Sequence, residues 1–425
     1  MKDVDRSGRS RKPRHRIAAA LGAAIVAAPV LVACGSSDGA ITINVYKYPQ
    51  ESFQKIVDQC NSKAGGRYDI VYHKLPREAD GQREQMVRRL AAEDTSMDVL
   101  ALDVTWTAEL AKAGWIKEFT GSAKSEVEDG TLQTPLDTAS YEGKLYGAPD
   151  NTNVQLLWYR GDLVPTPPKT WDEMIQMAET LKKDGKPGLI EGQGKQYEGL
   201  VVLYNTLVNS AGGKILDENG TKAVVDDGAV KALETLKKFA TSDVVDPSFS
   251  NAAEDDARLA MEAGKAAFML NWPYVYAAGA KNADYIKNLK WAPYPSVGSG
   301  DSKVTVGGIN YAVSSFTEHS DESFDAVMCL RSAESQKYAA INDGVPPTIE
   351  SVYDDPEMAK PYPMKDAILE TLKTASVRPR TPAYQNVSTV ISTILSPPAS
   401  IDPRATADRL RSELQDALDS KGVLP

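Results

Sequence analysis

Along the first third of the chain, apolar and polar positions switch repeatedly between two periods. Residues 41–48 alternate as a half-buried strand does, and residues 52–64 then place Phe53, Ile56, Val57 and Cys60 on one helical stripe. A strand over 68–74, a helix over 81–93 and an apolar strand over 98–104 follow. This βαβ alternation predicts a parallel sheet covered by helices. Ligands of open α/β sheets lie outside the carboxyl ends of the strands, which marks 48–51 and 103–106 as candidate site segments. A second unit begins after Ala148-Pro149, with a strand over 156–159. Thr170 and Glu173 form a capping box opening a helix that carries Ile175, Ala178 and Leu181 on one face. A helix over 197–211 stops at Gly212-Gly213, Asn219-Gly220 marks a hairpin, and another helix covers 227–239. Residues 254–262 read as a helix stopped by Gly264, leading into a strand over 266–271. A strand over 308–313 and three or four helices complete the chain.

The start of the chain has a different pattern. Arg6, Arg9, Arg11, Lys12, Arg14 and Arg16 precede an apolar run from Ile17 to Val32, and Leu31-Val32-Ala33-Cys34 closes it. A run of about 16 residues is too short to cross a bilayer core of about 30 Å. The segment resembles the signal read by the lipoprotein signal peptidase, which implies that residues 1–33 are removed and that Cys34 is lipidated. Two or three acyl chains anchor a protein stably where one does not. Residues 34–40 would then be a short lipidated tether, placing the protein on the extracytoplasmic face of the cell membrane.

Removing the signal takes 7 of the 48 basic and 2 of the 58 acidic residues, leaving 41 and 56, net −15. Such a surface is a poor partner for nucleic acid. About 390 remaining residues exceed what one core usually serves, so two domains are expected. Two cysteines remain, Cys60 and Cys329. Outside the reducing cytoplasm a bridge is permitted, while their apolar helical settings equally suit buried free thiols.

Catalytic signatures are sparse. Histidine occurs only at His15, His73 and His319, and no HExxH, paired-cysteine motif or GxSxG is present. Gly192, Gly194 and Gly199 lack the Lys-Ser or Lys-Thr of a phosphate loop and read as loop glycines. No metal or cofactor is expected. A glycosidase needs only two carboxylates and stays open as the enzyme alternative.

Four segments together resemble the extracellular solute-binding proteins of carbohydrate ABC importers. They are Tyr141-Glu142-Gly143-Lys144-Leu145-Tyr146-Gly147-Ala148-Pro149, Pro168-Lys169-Thr170-Trp171-Asp172-Glu173, Gly264-Lys265-Ala266-Ala267-Phe268 and Val306-Gly307-Gly308-Ile309-Asn310. Residues 102–109, 152–160, 271–273 and 377–379, with both remaining cysteines, are most similar to the trehalose-binding lipoproteins of that family. The resemblance implies a two-lobed periplasmic-binding-protein-like α/β fold of type II with a central cleft. Lobe one would take 35–152 with 306–350, and lobe two 153–305 with 351–425. It also implies a disulfide between Cys60 and Cys329, a monomer, and delivery of a disaccharide to permease subunits driven by a cytoplasmic ATPase.

The same resemblance assigns Asp103, Asn153, Glu254, Trp272, Gly308 and Arg378 to the sugar site, with Glu51, Tyr311 and Tyr384 as further candidates. The residue types suit a neutral sugar, which shows hydroxyls on its rim and C–H groups on its faces. Asp103 and Glu254 would accept from hydroxyls, Arg378 would donate, Asn153 would do both, Trp272 would stack and Gly308 would admit the ligand to the backbone. Each also has a plainer reading. Asp103 could cap a helix beginning near Thr105, Glu254 could be a first-turn carboxylate, Trp272 could be core, and Arg378 could pair with a surface carboxylate. Trp158 and Trp171 read as core outright. Between Trp272 and Trp291 the chain is shorter than the trehalose binders, so the sugar class is better specified than the sugar. Other disaccharides, maltose-type oligosaccharides or a glycerophosphodiester would use the same fold, and a phosphate ligand would call for several convergent Lys or Arg. A structural envelope lipoprotein would have no closable cleft.

Overall fold

The structure, a computed structural model, describes residues 40–421. The expected signal and Cys34 therefore lie outside the described residues. Eleven strands are β1 Ile41–Lys47, β2 Tyr68–Lys74, β3 Val99–Asp103, β4 Ser140–Tyr141, β5 Lys144–Leu145, β6 Ala148–Val154, β7 Leu156–Arg160, β8 Leu189–Glu191, β9 Ala266–Asn271, β10 Leu289–Ala292 and β11 Val306–Val313. They form a sheet ordered β2-β1-β3-β11-β6, a second ordered β10-β7-β9-β8, and the ribbon β4-β5. Each large sheet carries its own helices, giving the two-lobed architecture the sequence pattern implied.

The first sheet is mixed, not purely parallel as expected. β1 pairs in parallel with β2 and β3, while β11 runs antiparallel to both β3 and β6. The reason lies in the chain path. β11 enters from the second lobe at the cleft end of the sheet and must run against strands that leave there. β3 shows why its sequence is apolar throughout: Val99 and Ala101 face one buried layer, Leu100 and Leu102 the other. The second lobe has one large core, in which Trp158 and Trp171 are fully buried.

Several predicted elements match to the residue, including β2, β9 and the helix Glu254–Glu262. Thr170 caps the helix Trp171–Lys183 by accepting from the Glu173 amide at 3.1 Å. Glu173 reaches back to the amide of Lys169 at 2.7 Å, one residue beyond a standard box. Asn219-Gly220 does turn the chain, with Gly220 at φ +66° and a single bridge between Leu216 and Ala223 where two strands were expected. After β11 there are five α-helices among the described residues, not three or four: Ser320–Leu330, Ala333–Asp343, Lys365–Thr374, Tyr384–Leu395 and Pro403–Leu418.

Cys60 and Cys329 are bonded, joining the helices Phe53–Ala64 and Ser320–Leu330 behind the first sheet. The lobes are joined at a narrow waist. β6 ends at Val154 and β7 begins at Leu156, so one residue, Gln155, separates a strand of each sheet. Gln155 is 1% exposed and donates to Gln193 at 2.8 Å. The return crossing at Val304 to Val306 is flanked by Ser376, which donates to the Val304 carbonyl at 2.8 Å and accepts from the Val306 amide at 2.9 Å.

Candidate functional site

Between the lobes, a charged cluster forms around Arg378. Its side chain is 3% exposed. Nη1 donates to Glu198 Oε1 at 2.6 Å, and Nη2 donates to Asp103 Oδ1 at 3.2 Å. Asp103 ends β3 of the first lobe, whereas Glu198 opens the helix Glu198–Ser210 in the second. The guanidinium therefore bridges the lobes. The same Asp103 oxygen accepts from the Thr105 amide at 3.0 Å and hydroxyl at 2.8 Å, a local turn that aims the carboxylate. The helix begins only at Thr107, so Asp103 is not its cap. Glu198 also accepts from the Tyr384 hydroxyl at 2.5 Å and from Ser388. Burial pushes the Glu198 carboxyl up, with Arg378 opposing that shift. Burial works against the charge on Arg378, but Asp103, Tyr384 and Glu198 outweigh it and hold the guanidinium protonated.

A second group converges from β6, β11 and the end of β9. Asn153 pairs in register with Gly307, and a Cβ placed on Gly307 would meet the Trp272 ring at 3.0 Å and Asn153 at 3.4 Å. Gly307, which the sequence reading passed over, is thus the glycine that lets the indole lie against the backbone. Trp272 is half-buried and fixed by its amide, which donates to Asn271 Oδ1 at 2.9 Å. Asn271 in turn donates to the Glu254 carbonyl at 2.9 Å. The Glu254 carboxylate lies beside the Tyr197 hydroxyl and the Trp272 side chain, and burial pushes its pKa up. Tyr197 and Glu198 are consecutive, so one helix start serves both groups.

Gly308 has a different reason from the one expected. Its φ is +135°, and a Cβ there would lie 2.4 Å from the Asn151 carbonyl oxygen and 2.8 Å from the Thr152 Cα. The close approach is that of strand β6, at the bulge between Ile309 and Asn310. Tyr311 and Glu51 are not brought to the cluster. Tyr311 is buried in the first lobe, its hydroxyl accepting from Lys47 Nζ at 2.9 Å, and Glu51 is exposed in the turn after β1. Tyr384 is present, but its hydroxyl is committed to Glu198.

Buried atoms around these groups without a hydrogen-bond partner among the described residues include Asn153 Oδ1, the Thr152 hydroxyl and Arg378 Nε. Beside Arg378 a narrow pocket is lined by Thr105, Ala108, Thr138 and Ser140 on one side and Val377 on the other. At the rim, Lys195 Nζ lies 3.2 Å from Glu78 Oε1, and Gln385 donates to Asp80 at 3.3 Å, so the lobes also touch across the mouth. Exposed pairs of this kind contribute at most about 1 kcal/mol. No group of three or more His, Cys, Asp or Glu able to hold a metal occurs among the described residues.

Two hinged α/β lobes meeting around converging polar and aromatic groups define a binding protein. Residues 46–337 match the family of bacterial extracellular solute-binding proteins, and the chain belongs to that family. It is 28% identical over 392 residues to a Deinococcus radiodurans protein named "Probable ABC transporter-binding protein", covering 87% of this chain and 91% of that one. Its fold is similar to that of maltose-bound T. maritima MalE3, with a TM-score of 0.80 at 27% identity, over 88% of this chain and 99% of the other. It is also similar in fold to a Thermotoga lettingae solute-binding protein bound to α-D-tagatose, with a TM-score of 0.79 at 22% identity, over 89% and 100% of the two chains. The protein is a substrate-binding component of an ABC transporter, as the family match and the name of its Deinococcus relative indicate.

Proposed function

We propose that the protein captures a neutral disaccharide, trehalose or a related α-glucoside, in the interlobe cleft and presents it to a membrane permease. The observation that carries this reading is that Asn153 Oδ1 and Arg378 Nε are buried without a hydrogen-bond partner among the described residues, while the Trp272 indole lies beside Asn153 across Gly307. Buried polar atoms normally have partners, and hydroxyls on the rim of a sugar would supply them while its face meets the indole. The balance of charge supports a neutral ligand. Arg378 faces both Asp103 and Glu198, and Glu254 adds a third carboxylate. Of the two cations lining the pocket, Arg378 is already paired twice and Arg380 donates to the Asp137 carbonyl, so a glycerophosphodiester is the weaker reading. A maltose-type ligand is the second reading, favoured by the maltose-bound neighbour at 27% identity.

The test is calorimetric titration of a disaccharide panel containing trehalose and maltose, together with glycerophosphodiesters. Alanine at Asp103, Glu254 or Trp272 is expected to weaken sugar binding by about ten- to a hundredfold, since a hydrogen bond to a charged group contributes about 1.5–3 kcal/mol. Each variant should also lose most of the ligand-induced rise in melting temperature. Wild-type affinity in any one of them removes that residue from the site. Hydrolysis of the bound sugar would move the protein to the glycosidase class. We further propose that Cys34 carries the lipid anchor. Cys34→Ala should release the protein from the membrane fraction, and undiminished membrane retention would refute the anchor.

A further inference from the structure

The helix Glu198–Ser210 opens on a carboxylate and is otherwise buried along nearly its whole length. Glu198 is spent on protein groups alone: both oxygens accept, from Arg378, Tyr384 and Ser388. Tyr384 and Ser388 lie four apart on the helix Tyr384–Leu395, so their hydroxyls project from one face toward the same carboxylate. Arg378 lies outside both helices, in the segment beside the return crossing, with no regular structure of its own to fix it. It stands over the Tyr384 ring, 5.9 Å from the centroid. Held this way, it extends Nη2 to Asp103 of the other lobe and leaves Nε without a protein partner.

We infer that Glu198 is a positioning residue: with Tyr384 and Ser388 it forms a cradle that orients Arg378 for contact with both the ligand and Asp103 of the opposite lobe. This makes Tyr384 part of the cradle instead of a ligand contact. The planar guanidinium suits the role, because fixing one edge on a carboxylate fixes the direction of the remaining N–H groups. The ligand arm of the inference rests on the sugar-binding reading above, whereas the interlobe arm does not.

The two arms are tested separately. In the first, Glu198→Gln, Arg378→Met and the double variant are titrated with trehalose and maltose. Glu198→Gln is expected to lose about ten- to a hundredfold in affinity, the range for a lost hydrogen bond to a charged group. The double variant should bind within about twofold of Arg378→Met alone, as two residues acting as one unit do. Multiplying losses in the double variant, or undiminished affinity in Glu198→Gln, would overturn the inference. In the second arm, nitroxide labels on the two lobes report the interlobe distance of the full chain without sugar. Glu198→Gln and Arg378→Met should shift the distribution toward longer distances to the same extent, and the double variant no further. An unchanged distribution in Glu198→Gln overturns the inference even if neither sugar binds the wild type. Ser388→Ala, which keeps the carboxylate, should shift both readouts in the same direction by a smaller amount and serves if Glu198→Gln fails to fold. Melting temperature separates a cradle from a merely structural role, which would lower stability without the non-additivity.

Discussion

Replacement of either bridged cysteine by serine is expected to lower the stability of the protein by about 3–5 kcal/mol. Cys60 and Cys329 are 269 positions apart, and the bond joins two helices that cover the same face of the first sheet. Cross-linking the unfolded chain removes loop-closure entropy that grows with the logarithm of the loop, so a closure of this length lies toward the upper end of the usual range. Everything between the two cysteines, including the first excursion into the second lobe, is held in that loop. Urea unfolding of Cys60→Ser and Cys329→Ser should give midpoints lowered alike, and the wild type in reductant should follow them. The intact mass without reductant should be two hydrogens below the dithiol form. Midpoints equal to wild type in the serine variants would remove the stabilising role.

A comparable loss is expected from Asp150→Ala. Lys47 is 1% exposed at the end of β1, and its ammonium donates to Asp150 and to the Tyr311 hydroxyl. It also sits 4.8 Å from the Phe53 ring centroid. Burial pushes the Lys47 pKa down, and Asp150 is the main group opposing that shift. Removing Asp150 leaves a buried charge without its counter-ion, which costs about 3–5 kcal/mol. The pH dependence has a definite sign. In the variant the folded state binds the Lys47 proton more weakly than the unfolded chain, so the unfolded state carries more protons and stability rises with pH. Because Lys47 is lowered in the wild type too, but less, the deficit should shrink between the variant's folded pKa and the wild type's, both below the ordinary lysine value of about 10.4. The double variant Lys47→Met/Asp150→Leu, which replaces the pair with apolar groups, should recover most of the loss. A deficit independent of pH, or a double variant as unstable as Asp150→Ala, would contradict this account.

The same buried pair shows where the sequence misleads. Strand β6 reads Ala-Pro-Asp-Asn-Thr-Asn-Val, which carries no strand pattern, yet nearly all of it is buried. Two of its polar groups are satisfied by distant residues: Asp150 by Lys47, and the Pro149 carbonyl by Arg331 and Gln336. No local period can reveal partners more than a hundred positions away. By contrast β2 was legible because burial there alternates, β9 because it is a short apolar run buried throughout, and the helix Glu254–Glu262 because burial follows the 3.6-residue period and Gly264 with φ +74° stops it. In the candidate site, Asp103 and Arg378 were named and lie in contact, and Asn153 and Trp272 share Gly307. Glu198 was missed, although a signal was present. The apolar run from Leu200 to Tyr204 with Leu207 and Val208 marks a buried helix, so the carboxylate in its first turn needed a buried partner. Gly307 and Gly308 were indistinguishable as letters. Only the register of β11 shows that one faces the indole and the other faces strand β6.

The single residue between β6 and β7 sets the mechanics of the molecule. A tether of several flexible residues would give the lobes many relative orientations, most of them unproductive, and closure would have to select among them. Gln155 sits fully inside the waist with its side chain bonded to Gln193, and the return crossing is clasped by Ser376. The lobes therefore share a pivot: they can swing, but they cannot slide or wander. On opening about that pivot Asp103 and Arg378 would part, so the distance between them would measure the angle of opening. Little orientational entropy would be lost on capture, which leaves more of the contact energy of a small ligand available as affinity.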